Sequence, residues 1–503
     1  MHADHPQLDS PRLFDDTKGL LPMSTTLDAP PGSSPGNVLD RYFRLSERGT
    51  SVVREVRGGV ATFFALAYIV VLNPIILASG KDLYGHTLNL GQLTAATAVV
   101  AGVMTLIMGI GGNLPLAIAA GLGLNGVVAF TIAPTMSWQD AMGLVVLEGL
   151  GICLLVVTGL RKLIMDAIPV PMKKAIGVGI GLFIALIGLV DAGFVTRIPD
   201  AAQSTVPVQL GNNGELTGWP ILVFCVGVLV TFVLLVRRMP GAILISIVGT
   251  TILAIIINYA AHLKAADWGL IQPKWPHSVV STPDFGLIGH VSLFGGFVHA
   301  GVVTAVVFIF TLILSDFFDA MGTIVGVTSE AGLLDEQGNV PNIGRVLFID
   351  GLAAAAGGLG SASSNTTFVE SAAGVGEGAR TGLASIVTGV LLGLTSFLTP
   401  LATVVPQQAA APALVVVGFL MMTQIKDVPW DDWTIAVPAF LAITLMAFTY
   451  SITVGIGASV IAFVLVKTAA GKIREVSPLL WIVGALFVAY FALNPIQQAL
   501  NVK

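Results

Sequence analysis

Residues 114–126 read Leu-Pro-Leu-Ala-Ile-Ala-Ala-Gly-Leu-Gly-Leu-Asn-Gly, and residues 361–374 read Ser-Ala-Ser-Ser-Asn-Thr-Thr-Phe-Val-Glu-Ser-Ala-Ala-Gly. Both segments are short, are broken by Gly or Ser, and carry a polar side chain midway, Asn125 in the first and Glu370 in the second. Interrupted helices at corresponding positions in two halves of a chain are typical of transporters built from inverted repeats. The two segments therefore predict helix ends and free backbone groups near the middle of a bilayer.

The composition around these segments also indicates a membrane protein. The chain has 503 residues, of which 55% are apolar and only 11% are charged. Soluble domains carry about 25% charged residues, so an ordinary soluble enzyme is excluded. The net charge of -5 offers no basic surface for nucleic acid. Two cysteines, both within apolar runs, are too few for a disulfide framework or a zinc site.

Apolar runs of about the ~20 residues that a crossing helix needs predict an all-α polytopic protein with about fourteen spans in two inverted sets of seven. A segment at 479–494 is a fifteenth span or an interfacial helix. We expect a disordered tail at 1–40, repeats at 41–270 and 290–470, and a C-terminal hydrophobic segment and tail at 471–503. The predicted spans are 56–79, 91–111, 114–133, 140–160, 170–192, 219–237, 241–261, 298–320, 343–359, 362–376, 379–400, 407–425, 433–449 and 451–468.

The positions of the basic residues predict the orientation. With a cytoplasmic N-terminus and fourteen crossings, 19 of the 24 Lys and Arg residues fall on the cytoplasmic side, as the positive-inside rule requires. The exceptions are Lys81, Arg197, Lys264, Lys274 and Lys503. We therefore expect a multi-pass protein of the cell membrane with its N-terminus inside.

Acidic residues within the spans are the candidate functional groups, because an ionisable side chain in a bilayer is costly unless it is paired or faces a cavity. Asp316 and Asp319 have i, i+3 spacing and share one helix face, where like charges favour holding a proton. Glu370 lies among hydroxyl side chains in an interrupted span, which suits hydrogen bonding to a polar ligand. Glu148 and Asp350 are more isolated, and we expect them to form hydrogen bonds between helices.

Asn125 is the amide of the first interrupted segment, and it either faces the same cavity or caps a half-helix. An acidic, hydroxyl-rich site favours a cation, or a neutral ligand rich in N–H donors that is taken up with protons. Two other classes stay open at this point. An anion carrier on a similar repeat scaffold needs a cation or helix N-termini at its site, and an intramembrane aspartyl protease needs its two aspartates on different helices.

Four segments resemble one family. They are Ala61-Thr-Phe-Phe-Ala-Leu-Ala-Tyr-Ile-Val-Val-Leu-Asn-Pro74, Gly121-Leu-Gly-Leu-Asn125, Ser315-Asp-Phe-Phe-Asp-Ala-Met-Gly-Thr323, and Thr367-Phe-Val-Glu-Ser-Ala-Ala-Gly-Val-Gly-Glu-Gly-Ala-Arg-Thr-Gly-Leu383. These are similar to the AzgA-like purine permeases, a branch of the nucleobase/cation symporters with the uracil-permease fold. The chain departs from that pattern at Gly126 and Val127, where relatives often have Ala-Phe.

The resemblance implies a core domain and a gate domain, with short antiparallel strands and half-helices in spans three and ten. It also implies proton-coupled purine import, most of all of guanine or hypoxanthine, by an elevator-like cycle, with no cofactor other than the coupling proton. We expect the lipid bilayer and a small purine as partners, and a homodimer is common in this fold. Carried over by motif, the site residues are Glu370, Asp316, Asn125, Phe368 and Thr367 for the substrate, and Asp319, Asp316 and Glu370 for the proton.

Overall fold

The structure is a computed structural model, and it describes residues 38–160, 169–198, 207–239, 241–335 and 339–500. The predicted N-terminal tail lies outside the described residues up to position 37, as do the last three residues of the C-terminal tail. Helices dominate, and all the predicted apolar segments contain helix or strand. In the first half, the elements are α1 (Val38–Phe43), α2 (Val52–Leu66), α3 (Ile69–Ser79), α4 (Leu90–Ile107), β1 (Ile118–Ala120), α5 (Leu122–Val127), α6 (Trp138–Val157), α7 (Val170–Asp191), β2 (Val195–Arg197), β3 (Val208–Leu210), α8 (Trp219–Val236) and α9 (Ala242–Ala260).

The second half repeats this order after a connection that contains two short helices. Its elements are α10 (Ala265–Trp268), α11 (Gly295–His299), α12 (Val302–Glu330), α13 (Ile343–Leu359), β4 (Asn365–Thr367), α14 (Ser371–Gly376), α15 (Gly382–Thr395), α16 (Thr399–Ala402), α17 (Gln407–Met422), α18 (Trp433–Phe448), α19 (Ile452–Ala469) and α20 (Pro478–Leu500).

Ten helices in the described part of the chain are long and apolar enough to cross a membrane. Three more apolar helices are shorter, at Leu122–Thr135, Trp433–Phe448 and Pro478–Ala492. The count of fourteen spans therefore stays a prediction. Fewer than fourteen long helices are present for a physical reason. The predicted third and tenth spans are each divided between a strand and a half-helix, and other segments are just short of a full crossing length.

The helix packing has the symmetry of a two-fold repeat. α6 packs against α13, and the pair at corresponding positions in the two halves, α4 and α15, packs in the same way. α7 packs against α18, and the pair at corresponding positions, α17 and α8, packs in the same way. The contact of α8 with α9 likewise corresponds to that of α18 with α19. Close approach depends on glycine: a Cβ on Gly149 of α6 would lie 2.2 Å from the backbone nitrogen of Ala355 in α13.

The contacts divide the helices into two groups. The strand group comprises α2–α6 and α12–α15 with strands β1 and β4, and the outer-helix group comprises α7–α9 and α17–α20. Residues 38–50 pack onto the strand group, where Arg48 donates to the carbonyl oxygens of Asn113 (2.6 Å) and Arg380 (2.9 Å). We call this end of the molecule the N-terminal end and the opposite one the distal end.

Candidate functional site

A two-stranded antiparallel sheet lies at the centre of the strand group. Ile118 pairs with Thr367, Ala119 with Thr366, and Ala120 with Asn365. Each strand leads into a half-helix, α5 or α14, within a few residues. The strands and half-helices that the family resemblance implied are therefore present, and the interrupted segments have their free backbone groups paired with each other.

Polar side chains of neighbouring helices fix this sheet in place. The Thr105 hydroxyl of α4 accepts from the Ile118 nitrogen and donates to the Ile118 oxygen, both at 2.9 Å. The hydroxyl of Ser371 accepts from the Ala117 nitrogen at 2.9 Å, and Phe368 donates its backbone N–H to the Ala117 oxygen at 2.9 Å. The segment that carries Glu370 is thus held rigidly.

Glu370 is the residue immediately before α14, and its side chain is half-buried. Its carboxylate accepts a hydrogen bond from the Tyr68 hydroxyl at 2.6 Å. Tyr68 lies at the break between α2 and α3 and is fully buried. Tyr68 was not among the predicted site residues. The sequence nevertheless pointed to it, because Tyr68 is the one tyrosine of the first predicted span and a buried tyrosine hydroxyl usually has a hydrogen-bond partner.

Asp316 and Asp319 lie on α12 at different depths. Asp319 is exposed and within electrostatic range of Glu370. Asp316 is fully buried, and neither of its carboxylate oxygens has a hydrogen bond of standard geometry among the described residues. Asp350 and Glu148 are its charged neighbours. Asp319 thus interacts electrostatically with Glu370, whereas Asp316 lies in the protein interior.

Asp350 and Glu148 form hydrogen bonds to the strand segment and not, as we expected, between helices. One oxygen of Asp350 accepts from the Thr367 nitrogen at 2.9 Å, and one oxygen of Glu148 accepts from the Ser364 hydroxyl at 2.9 Å. The second oxygen of each carboxylate is buried without a partner. Among the described residues, no Lys, Arg or His forms an ion pair with any of the five acidic residues.

Asn125, Thr367 and Phe368 are buried beside or behind the Glu370 pair. Asn125 donates to the Asn73 side-chain oxygen at 3.0 Å, and its own side-chain oxygen has no partner. Asn73 in turn donates to the Thr97 hydroxyl at 2.8 Å. The backbone N–H of Thr367 donates a hydrogen bond to Asp350, and Phe368 belongs to the apolar core.

Exposed positions lie beside this site and further along α12. Val369, next to Glu370, is 61% exposed. Gly322 and Gly326, further along α12 than Asp319, have no neighbouring atom within 4 Å of an added Cβ. Toward the distal end, the rings of Phe130 and Tyr450 join the two helix groups, with centroids 5.7 Å apart.

The described residues contain no group of three or more His, Cys, Asp or Glu side chains that could hold a metal ion. The chemistry available at the site is that of carboxyl groups, one tyrosine hydroxyl and backbone groups. Carboxylate oxygens accept hydrogen bonds, and they carry or release protons. The arrangement suits the binding of a small molecule with N–H donors.

Comparisons with known proteins fit this geometry. Residues 54–491 match the profile of Xan_ur_permease, described as a permease family. The adenine permease AdeP of Escherichia coli is 36% identical over 454 residues, which cover 90% of this chain and 95% of that protein. The guanine/hypoxanthine permease PbuG of Bacillus subtilis is 36% identical over 458 residues, which cover 90% and 98%.

Two solved structures share the fold at low sequence identity. The transmembrane domain of a cyanobacterium bicarbonate transporter, BicA, is 17% identical with a TM-score of 0.58, over 81% of this chain and 97% of that one. Murine Slc26a9, an anion transporter in the inward-facing state, is 13% identical with a TM-score of 0.56, over 88% and 74%. At these identities the likeness concerns architecture alone.

Proposed function

The chain belongs to the Xan_ur_permease family of permeases, and on that premise we propose that it is a secondary transporter, not an enzyme, that moves purine nucleobases across a membrane. Relatives at 36% identity are named as an adenine permease and a guanine/hypoxanthine permease. The observation that carries the proposal is the Tyr68–Glu370 hydrogen bond at the start of a half-helix. Guanine or hypoxanthine, our expectation from sequence, stays the predicted preference.

The carboxylate of Glu370 would accept N–H donors from one edge of the purine. Asp319 is exposed and interacts electrostatically with Glu370, so it would add a second acceptor. Phe368 borders this site through the backbone of its segment, whereas Asn125 and Asp316 support the site from the buried side. A purine presents adjacent N–H donors, and charged acceptors give the stronger hydrogen bonds.

Proton coupling follows from the surplus of acidic groups. Five carboxyl groups lie in one region without an ion pair to a basic side chain among the described residues. A buried, unpaired charge is costly in a membrane. We propose that Asp316, Asp319 and Glu370 hold and exchange the coupling proton, with no other cofactor, and that neutralisation of these groups permits the strand group to move.

The division into two helix groups supports an elevator-like movement. All residues of the proposed site belong to the strand group, and β1 and β4 join its two halves. This group would carry the substrate past the outer-helix group, which would remain in place and form the contacts of a homodimer. We further propose import across the cell membrane, with the N-terminus in the cytoplasm. The alternative of an anion carrier is less well supported: the half-helix that begins at Ser371 offers a helix N-terminus, but the side chain that precedes it is the acidic Glu370.

Reconstitution tests the proposal. Purified protein in liposomes should take up radiolabelled adenine or hypoxanthine, and an imposed pH gradient should accelerate uptake, whereas collapse of the gradient should slow it. Glu370→Gln should abolish uptake. Glu377→Gln is the matched control, because this exposed glutamate pairs with Arg57 outside the site. Absence of nucleobase uptake by the wild type would contradict the transport function, and uptake that ignores the gradient would contradict proton coupling.

A further inference from the structure

A cavity of about 470 Å³ lies at the distal end of the molecule, apart from the Glu370 site. We call it the distal cavity. It lies between the end of α7, the start of α8, the segment 263–269 and the start of α17. Gln407 of its wall donates to the Ser79 hydroxyl at the end of α3 (2.9 Å), so the cavity borders the junction of the two helix groups. Its volume is within the ~300–1,000 Å³ range of small-molecule sites.

The wall offers hydrogen-bond acceptors without partners. Gln408 is only 7% exposed, and its side-chain oxygen has no hydrogen bond among the described residues. The same is true of one carboxylate oxygen of Asp191. Two nearby donors are already occupied: the Gln408 amide donates to the Trp268 oxygen (3.3 Å), and the Trp268 indole donates to Asn258 (2.9 Å). Buried acceptors left unsatisfied are costly, so the cavity is complementary to a ligand that supplies N–H donors.

The other lining groups narrow the ligand class. Among the described residues that line the distal cavity there is no Lys, Arg or His, and Asp267 adds a second carboxylate, so an anion is disfavoured. Trp219 is also part of the wall and is half-exposed, which leaves an indole face available to a flat ring. Aromatic faces stack on planar heterocycles and favour cations or N–H edges. A planar, N–H-bearing heterocycle satisfies both features.

The cavity wall is linked to the aromatic contact between the two helix groups. Asp191 interacts electrostatically with Tyr450, whose ring lies 5.3 Å from that of Phe183 and 5.7 Å from that of Phe130, between centroids. Phe130 follows the half-helix that contains Asn125. A ligand in the distal cavity would therefore lie close to the contact between the two groups.

We propose that the distal cavity is a second binding site for nucleobases, occupied before the substrate reaches Glu370. Asp191 and Gln408 accept its N–H donors, and Trp219 stacks on its ring. This inference rests on the proposed function, because it concerns the same class of substrate. It differs from that function in predicting two molecules bound to one chain.

Equilibrium binding of radiolabelled adenine or hypoxanthine to the purified full chain tests the proposal, with total ligand raised about a hundredfold above the tighter dissociation constant. The wild type should bind two equivalents, and in Glu370→Gln the tighter site should be weakened while the affinity of the distal cavity stays unchanged. Asp191→Asn and Gln408→Leu should each weaken that second site about tenfold, as expected for the loss of one hydrogen bond to a buried acceptor. They should also raise the KM for uptake and leave kcat unchanged.

Asp284→Asn is the matched control, since this aspartate bonds Gln92 on the surface outside the cavity. Thermal melting of each variant, compared with that of the wild type, identifies folded protein. One equivalent bound by the wild type, with Asp191→Asn and Gln408→Leu unchanged in binding and in KM, would overturn the second site and leave the transport function intact. No nucleobase binding by the wild type would contradict the proposed function itself.

Discussion

At the scale of single residues, the proposed site depends on the hydrogen bond that holds the Glu370 carboxylate. The Tyr68 hydroxyl donates to its carboxylate at 2.6 Å from a fully buried position. A hydrogen bond to a charged acceptor contributes roughly 1.5–3 kcal/mol. We therefore propose that Tyr68 orients the carboxylate and acts as a positioning residue for the substrate.

Removal of this hydroxyl gives the first prediction. Tyr68→Phe should weaken nucleobase binding by about tenfold or more, because the carboxylate loses its oriented partner. The measurement is the dissociation constant of labelled purine with purified protein. Tyr42→Phe is the control, since the Tyr42 hydroxyl bonds the Ile110 oxygen at the surface. Equal affinities for Tyr68→Phe and Tyr42→Phe would contradict this role.

Glu55 is a buried acid with a structural task. Its two oxygens accept from the backbone nitrogens of Arg380 (2.8 Å), Thr381 (3.3 Å) and Ala384 (3.2 Å), at the N-terminus of α15. An anion at this position satisfies free N–H groups and interacts favourably with the helix dipole. Glu55 thus links α2 to the start of α15.

Glu55→Gln should therefore lower stability, because an amide N–H₂ would face backbone donors. We expect a loss of about 1–3 kcal/mol, read as a lower midpoint of thermal inactivation in detergent. Glu47→Gln serves as the control, since Glu47 is exposed and forms only a surface pair with Arg44. An unchanged midpoint for Glu55→Gln would show that these bonds contribute nothing.

At the scale of elements, the strand pair was predictable only in part. The short, interrupted segments and their polar residues were visible in the sequence, whereas strands of three residues are too short to produce an alternating pattern. Their existence followed from the family resemblance. The β2–β3 hairpin was not predicted either, because it lies in a polar connection between spans.

The anchor of β1 gives an element-scale prediction. Thr105→Val removes both hydrogen bonds to Ile118 in one isosteric change. The strand should become less rigid, and purine affinity should fall by about tenfold, with the protein still folded by thermal melting. Thr94→Val is the control on the same helix, because its hydroxyl bonds only the Leu90 oxygen of its own turn. Similar affinities for the two variants would contradict the role of β1.

At the scale of the whole molecule, the sequence predicted more than it did for the site. Charge scarcity, span positions and repeat symmetry needed only hydropathy and the position of breaks, and the family prediction from four motifs is confirmed by the relatives. Other features depend on how the helices are rotated relative to one another. These are the deeper burial of Asp316 than of Asp319, the burial of Asn125 and the hydrogen bond from Tyr68 to Glu370. That rotation is set by contacts between distant segments, which a single sequence does not display.

Relative movement of the two helix groups can be blocked directly. In a variant without Cys153 and Cys225, the pair Phe130→Cys and Tyr450→Cys would allow a short thiol cross-link between the groups, at a ring separation of 5.7 Å. Cross-linking should reduce transport to background. Phe194→Cys with Phe224→Cys is the matched control, because these rings are also 5.7 Å apart but belong to neighbouring outer-helix segments. Full transport after the first cross-link would contradict the elevator-like movement.

The role of Glu370 is best tested by the affinity of purified protein for radiolabelled adenine and hypoxanthine, compared between the wild type and Glu370→Gln at the tight site. We expect saturable binding of at least one purine by the wild type, a loss of about a hundredfold for Glu370→Gln, as expected for two charge-assisted hydrogen bonds, and wild-type affinity for Glu377→Gln. Unchanged purine affinity in folded Glu370→Gln would contradict the assignment of Glu370 as the centre of the site.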